Sequence, residues 1–140
     1  MRRLAFPLLV LLLAAACGSA PSADRPRGLA APQIEVRPVG SMFFGSGSTA
    51  PITFEVTIGN PGTVALNVRE IEITAPGMGT YQVRPVRRVV NEMIPAGDSR
   101  TLTLFTTAVT SVRDPSEPLN LRTFVTFESN GIRWRELVNR

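Results

Sequence analysis

Apolar and polar residues alternate along most of the chain after residue 32, with the period of two that a half-buried β-strand imposes. The clearest case is "ITFEVTI" at 52–58, which places Ile52, Phe54, Val56 and Ile58 on one face. The same alternation runs through 33–39, 65–74, 81–90, 100–109, 119–129 and 132–138. No segment beyond residue 32 has a helical period, so the pattern predicts about seven short strands.

Turn and bulge signals separate these strands. The sequences "NPGT" at 60–63 and "IPAGDS" at 94–99 are typical of turns. Within 65–74 the alternation shifts phase near Arg69 and Glu70, which predicts a β-bulge. Pro85 has no backbone N–H, so the segment 81–90 is predicted to be an edge strand.

The last two strands flank Asn130-Gly131, the preferred dipeptide of a two-residue hairpin turn. This turn places Phe127 opposite Trp134, and the apolar face they share predicts that Trp134 is buried. Glu136 then lies on the same face as Trp134, which conflicts with burial of that face. A bulge or a fraying chain end is expected to resolve the conflict.

Together these elements predict an all-β fold over 33–140, an immunoglobulin-like antiparallel β-sandwich of about seven strands. The segments "FEVTIGNPGTVALNVREIEI", "IPAGDSRTLTL" and "FVTFESNGIRW" resemble immunoglobulin-like domains of bacterial surface proteins. They are also similar to the water-stress domain of type 2 late-embryogenesis-abundant proteins. The resemblance implies a fold and supplies no catalytic residue.

The N-terminus has a different pattern. Arginines at 2 and 3 precede an apolar run at 4–13 and a small-residue stretch at 14–16, the layout of a secretory signal peptide. The run is too short to span a bilayer, which takes about 20 residues. "LAAAC", ending at Cys17, resembles the lipobox of bacterial lipoproteins, although the family most often has leucine at the position of Ala14. We therefore expect a signal peptide at 1–16.

The resemblance implies that Cys17, the only cysteine, carries a diacylglyceryl group and becomes the first residue after cleavage. Gly18 stands where an aspartate would favour the inner membrane, which implies outer-membrane anchoring, facing the periplasm, in a two-membrane host. Residues 17–32 would form the lipidated cysteine and a flexible linker, since they are rich in Ala, Pro, Ser and Gly. Plain secretion with an A-x-A cleavage site, or a retained signal anchor, are the alternatives.

Composition narrows the chemistry. The chain contains no histidine and no lysine, all fifteen of its basic residues are arginine, and the formal net charge is +4. Serine and cysteine triads that need histidine, Schiff bases, and zinc sites of histidine or several thiolates are excluded. The sequence shows neither a clustered basic face nor a recognisable nucleic-acid-binding motif, so it does not indicate nucleic-acid binding. We expect no cofactor and no metal, and the sequence identifies no small-molecule substrate.

Two acidic pairs are candidate sites. Glu70 and Glu72 share a strand face at about 7 Å, a separation that suits an inverting glycosidase, but a solvated strand face is the simpler interpretation. Asp114 and Glu117 could contribute to a calcium site, which needs 6–8 oxygen ligands, more than this loop offers.

Two further clusters are candidate contacts for an anion or a partner. Arg84, Arg87 and Arg88 could bind phosphate or carboxylate groups, or could protect an edge strand from aggregation. Phe43 and Phe44, among glycines and serines, either close the end of the sandwich or form an exposed binding tip.

The sequence thus favours a lipid-anchored, non-enzymatic module of the cell envelope that binds or assembles with an envelope protein. A stress-protective domain of the late-embryogenesis-abundant type is the alternative from a different class. A hydrolase that depends on carboxylates alone is a third.

Overall fold

The computed structural model describes residues 24–40, 48–76, 81–110 and 119–140. The strands are β1 (Gln33–Val39), β2 (Thr49–Gly59), β3 (Leu66–Thr74), β4 (Tyr81–Val83), β5 (Val86–Ile94), β6 (Ser99–Thr110), β7 (Arg122–Ser129) and β8 (Ile132–Asn139). No helix occurs among the described residues. The alternating pattern therefore predicted the element types correctly.

The strands form two sheets of four, with all neighbours antiparallel. The first sheet has the order β1-β2-β6-β4 and the second has the order β5-β3-β7-β8. Their inner faces pack on each other, and the core combines residues of both. The predicted antiparallel β-sandwich is confirmed, with eight strands in place of about seven.

The core consists of the inward positions that the alternation selects. Phe54 and Val56 from the first sheet, and Val125 and Phe127 from the second, are all fully buried. Trp134 is 3% exposed and its ring stacks on Phe127 with centroids 5.5 Å apart. The turn residues Asn130 and Gly131 both have positive φ, at 50° and 76°, as the predicted hairpin turn requires. The prediction that Trp134 is buried is confirmed.

The predicted bulge and the predicted edge strand have different outcomes. β3 shifts register against both of its neighbours between Val68 and Glu70, which confirms the bulge. The segment 81–90 is not one strand. It divides at Arg84 and Pro85 into β4, an edge of the first sheet, and β5, an edge of the second. At this point the chain leaves the first sheet and crosses to the other.

One buried side chain joins the two turns that the sequence singled out. Asn60 is 2% exposed, and its amide nitrogen lies 2.9–3.1 Å from the carbonyl oxygens of Val64, Ile94 and Pro95. Its side-chain oxygen accepts a hydrogen bond from the N–H of Gly62 at 3.1 Å. The two turn motifs behind the family resemblance are therefore parts of one hydrogen-bonded unit.

Residues 24–32, which we call the strap, precede β1 and lie against the sandwich. Leu29 packs on the core and Pro32 is buried. Arg25 donates a hydrogen bond to Glu136 on β8 at 3.2 Å. This differs from the flexible linker expected up to residue 32. The reason is a long-range ion pair and apolar contacts that a composition argument does not detect.

Candidate interaction edge

The three clustered arginines have three different environments. Arg87 points to the outer face of the second sheet and donates to Glu70 at 2.6 Å. Arg88 points the other way and donates to the backbone carbonyl of Thr103 on β6, at 2.5 Å. The Arg84 side chain is exposed at the crossing between the sheets. The structure therefore does not form one anion site from all three.

The segment Thr101–Phe105 of β6 has an unpaired edge, which we call the β6 gap. β4 pairs with β6 only at Ala108–Thr110, and the N–H of Arg84 adds one bond to the carbonyl of Thr107, at 2.9 Å. From Phe105 back to Thr101, no strand among the described residues pairs with this side of β6, because the chain has crossed to the second sheet. The gap is thus a direct consequence of the crossing at Pro85.

The surroundings of the gap combine charge with exposed apolar side chains. Glu92 on β5 faces Arg100 on β6 at 3.8 Å. Phe105 is 72% exposed on the outer face of the first sheet, while Val89 and Met93 are 66% and 59% exposed on β5. These are the three most exposed large apolar residues of the described chain, and all three lie on the strands that border the gap.

The opposite edge of the first sheet, formed by β1, is protected. The guanidinium of Arg140 donates to the carbonyl of Val36 at 2.6 Å. The backbone of Pro38 faces the same open edge as the backbone of Val36, and proline has no N–H that could bind an added strand.

The outer face of the second sheet carries a network of ion pairs. Glu128 accepts hydrogen bonds from Arg69 at 2.7 and 3.1 Å and from Arg133 at 2.6 Å. These bonds, first those from Arg69 and then that from Arg133, lower the pKa of Glu128 to about 2. The carboxylate therefore stays ionised well into the acid range.

The acidic pair that suggested hydrolase chemistry belongs to the same face. Glu70 is bound by Arg87, and Glu72 accepts a hydrogen bond from Arg135. The Arg135 guanidinium also lies 3.9 Å from the ring centroid of Phe124. Each carboxylate thus has its own arginine, which is the arrangement of a solvated, ion-paired strand face.

A functional detail that the sequence did not reveal is the partner of Glu136. Neither a bulge nor a frayed end removes this carboxylate from the core-facing side, where it is 4% exposed. The indole N–H of Trp134 donates to it at 3.1 Å, and Arg25 supplies the charge. The expected resolution of the conflict was wrong. The indole N–H two residues away on the same face was the available signal, whereas Arg25 was too distant in sequence.

Several predicted site residues lie outside the described residues, namely Cys17, Phe43, Phe44, Asp114 and Glu117. Within the described ranges no three His, Cys, Asp or Glu side chains are grouped so that they could hold a metal ion. The same ranges contain no helix long and apolar enough to cross a membrane.

Comparison with known proteins supports the fold only. No protein-family model and no curated protein matches the chain. A structural-genomics target named SoR45 superposes with a TM-score of 0.52 at 14% identity, over 76% of this chain and 81% of that one. A target from Bordetella pertussis described as an ApaA protein has a TM-score of 0.50 at 18% identity, over 77% and 88% of the two chains. At such identities the similarity extends to the β-sandwich and no further.

Proposed function

We propose that this protein is a lipid-anchored, non-enzymatic module of the cell envelope that binds or assembles with an envelope protein. The observation that carries the proposal is the single cysteine, Cys17, placed directly after an apolar run and three alanines. A thiol at the start of an exported chain with no second cysteine has no disulfide partner within the chain. Two or three acyl chains on one residue give stable membrane attachment.

The polar side chains of the sandwich support a binding role rather than catalysis. Glu70, Glu72 and Glu128 are each engaged by arginine, so their charges contribute to the sheet surface. The buried Glu136 is likewise occupied, by Arg25 and the Trp134 indole. The edge of β6, by contrast, presents backbone groups that no described strand uses.

The anchor is tested by replacing Cys17 with alanine in the full-length chain and separating membranes from soluble fractions. We expect the wild-type protein in the membrane fraction with an acylated N-terminal cysteine by mass spectrometry. The Cys17→Ala variant should be soluble or remain unprocessed, while a Ser19→Ala control should behave as wild type. A mature wild-type protein with an unmodified thiol would establish plain secretion and refute the anchor.

Binding is tested separately by crosslinking envelope fractions with and without the protein. A reproducible protein partner supports the module, and a protein that is monomeric and uncrosslinked under all conditions contradicts it.

A further inference from the structure

The β6 gap offers the backbone pattern of an unfinished sheet. In an antiparallel ladder the N–H and C=O of every second residue point to the same side. The carbonyl of Thr107 faces β4, because it accepts the N–H of Arg84. The backbone groups of Phe105, Thr103 and Thr101 therefore face the same way, past the end of β4.

Arg88 occupies the place that a strand would take. Its guanidinium donates to the carbonyl of Thr103, the same oxygen that the N–H of an added strand would approach. A side chain on a flexible stem can withdraw, and its position can then be taken by backbone. Extended segments commonly bind proteins by adding a strand to an exposed sheet edge.

The charges near the gap select what kind of segment fits. No carboxylate among the described residues forms an ion pair with Arg84 or Arg88. The lower end carries Arg100, which is shared between Asp98 and Glu92. Arg84 and Arg88 thus have no counter-charge in the described chain, and they border an edge whose backbone is unpaired. Such an edge is complementary to an acidic strand.

We propose that the β6 gap binds an extended, acidic segment of a partner protein, which continues the line of β4 as an additional strand of the first sheet. The inference rests on the proposed function and names the partner class of this edge. Main-chain hydrogen bonds to Thr101, Thr103 and Phe105 hold the segment. Arg84, together with Arg88 once it is displaced, binds the carboxylates, and the exposed Phe105 ring packs on one side chain.

A second copy of this chain fits the gap less well. In a two-fold arrangement each gap would face its own image, because such an interface uses the same surface on both subunits. With the two-fold axis at Thr103, in the middle of the gap, Arg88 would then approach Arg88 of the other copy. Like charges opposed across a strand pair are destabilising.

The experiment uses the full-length chain and two synthetic peptides of about nine residues, long enough to span the gap at about 3.4 Å per residue. One alternates valine with glutamate and the other alternates valine with lysine, each with blocked termini and a fluorescent label. We expect the glutamate peptide to bind at least about tenfold more tightly, by fluorescence anisotropy at low salt. Hydrogen exchange should slow at the amides of Thr101, Thr103 and Phe105.

Variants test the backbone and the charges separately. Thr103→Pro removes one edge N–H without touching the β2 ladder and should weaken binding about tenfold. Arg84→Ser combined with Arg88→Ser should weaken it by a similar factor, whereas Arg87→Ser, the neighbouring arginine paired with Glu70, should leave it unchanged. Unaltered Trp134 emission verifies that each variant is folded.

Several outcomes would overturn the proposal. These are binding of neither peptide, equal binding of both, protection of the β1 edge in place of β6, or a dimer in sedimentation whose formation protects the gap. None of them bears on the anchor, because the Cys17→Ala fractionation is independent of the peptides. A membrane-bound protein that fails the peptide test contradicts this inference alone.

Discussion

The two edges of the first sheet are closed to different degrees. On β1, Arg140 binds the carbonyl of Val36 and Pro38 removes a donor, while Leu29 of the strap packs on the core. On β6, Arg88 binds a single carbonyl and no described strand continues the ladder. Natural sheets protect exposed edges with proline and charge, so an edge with only one movable side chain over it is a place where binding can be accommodated.

The two sides should differ most in how much the stability depends on an aromatic side chain that lies there. Trp134 is 3% exposed beside the strap, whereas Phe105 is 72% exposed beside the gap. Trp134→Ala should lower the free energy of unfolding by about 3–5 kcal/mol, from lost burial and the cavity left behind. Phe105→Ala should change it by less than about 0.5 kcal/mol. Urea unfolding of both variants measures this, and similar losses would show that the two sides are equally closed.

The strap gives the next largest effect. Arg25→Ala leaves the carboxylate of Glu136 at a buried position without its cation, which should cost about 1–3 kcal/mol. Arg27→Ala, on an exposed strap residue, is the matched control and should be neutral. Chemical denaturation gives both values. Equal stability of the two variants would show that the contact between the strap and Glu136 does not stabilise the fold.

Lowering the pH tests the ion pairs on the outer face of the second sheet, which includes the β8 edge. The pKa of Glu128 is lowered to about 2, so its ionised form is favoured in the folded state. A carboxyl with a depressed pKa contributes stability that is present above its unfolded pKa. That stability is lost as the pH falls from about 4.5 toward 2. A carbon-13 titration of the Glu128 carboxyl should show the low midpoint. In the Arg69→Ala variant the midpoint should rise, and an unchanged midpoint would show that Arg69 is not the main cause of the low pKa.

The smallest effect on stability should come from the two arginines that cover the edges. Arg140→Ala and Arg88→Ala each remove one side-chain hydrogen bond at a sheet edge and should change the unfolding free energy by less than about 0.5 kcal/mol. Their association behaviour should differ, because Pro38 still protects β1 whereas nothing described replaces Arg88 on β6. Sedimentation should show more self-association for Arg88→Ala than for Arg140→Ala. The reverse order would contradict the comparison.

The sequence predicted what local patterns control. Alternation identified the strands, the phase shift at Arg69 and Glu70 located the bulge, and Asn130-Gly131 set a register that pairs Phe127 with Trp134. These features depend on neighbouring residues, so a single sequence contains them.

The remainder depends on tertiary contacts. Pro85 indicated an edge strand. Whether the chain stays in one sheet there or crosses to the other depends on where β6 and β3 lie. Arg87 and Arg88 are adjacent in sequence and point to opposite faces, so the apparent cluster divides once the strand is built. The partner of Glu136 is 111 residues away and could not be inferred from spacing.

The strap also sets a distance. Because the chain is held against the sandwich from Arg25 onward, only seven residue steps separate Asp24 from Cys17. Such a length reaches at most about 25 Å when fully extended. With an acylated Cys17, the start of the strap would stay within that distance of the lipid headgroups, a shorter reach than if residues 18–32 were all free. A partner would then meet the domain close to the bilayer, and energy transfer from Trp134 to an acceptor-labelled lipid would report the separation directly.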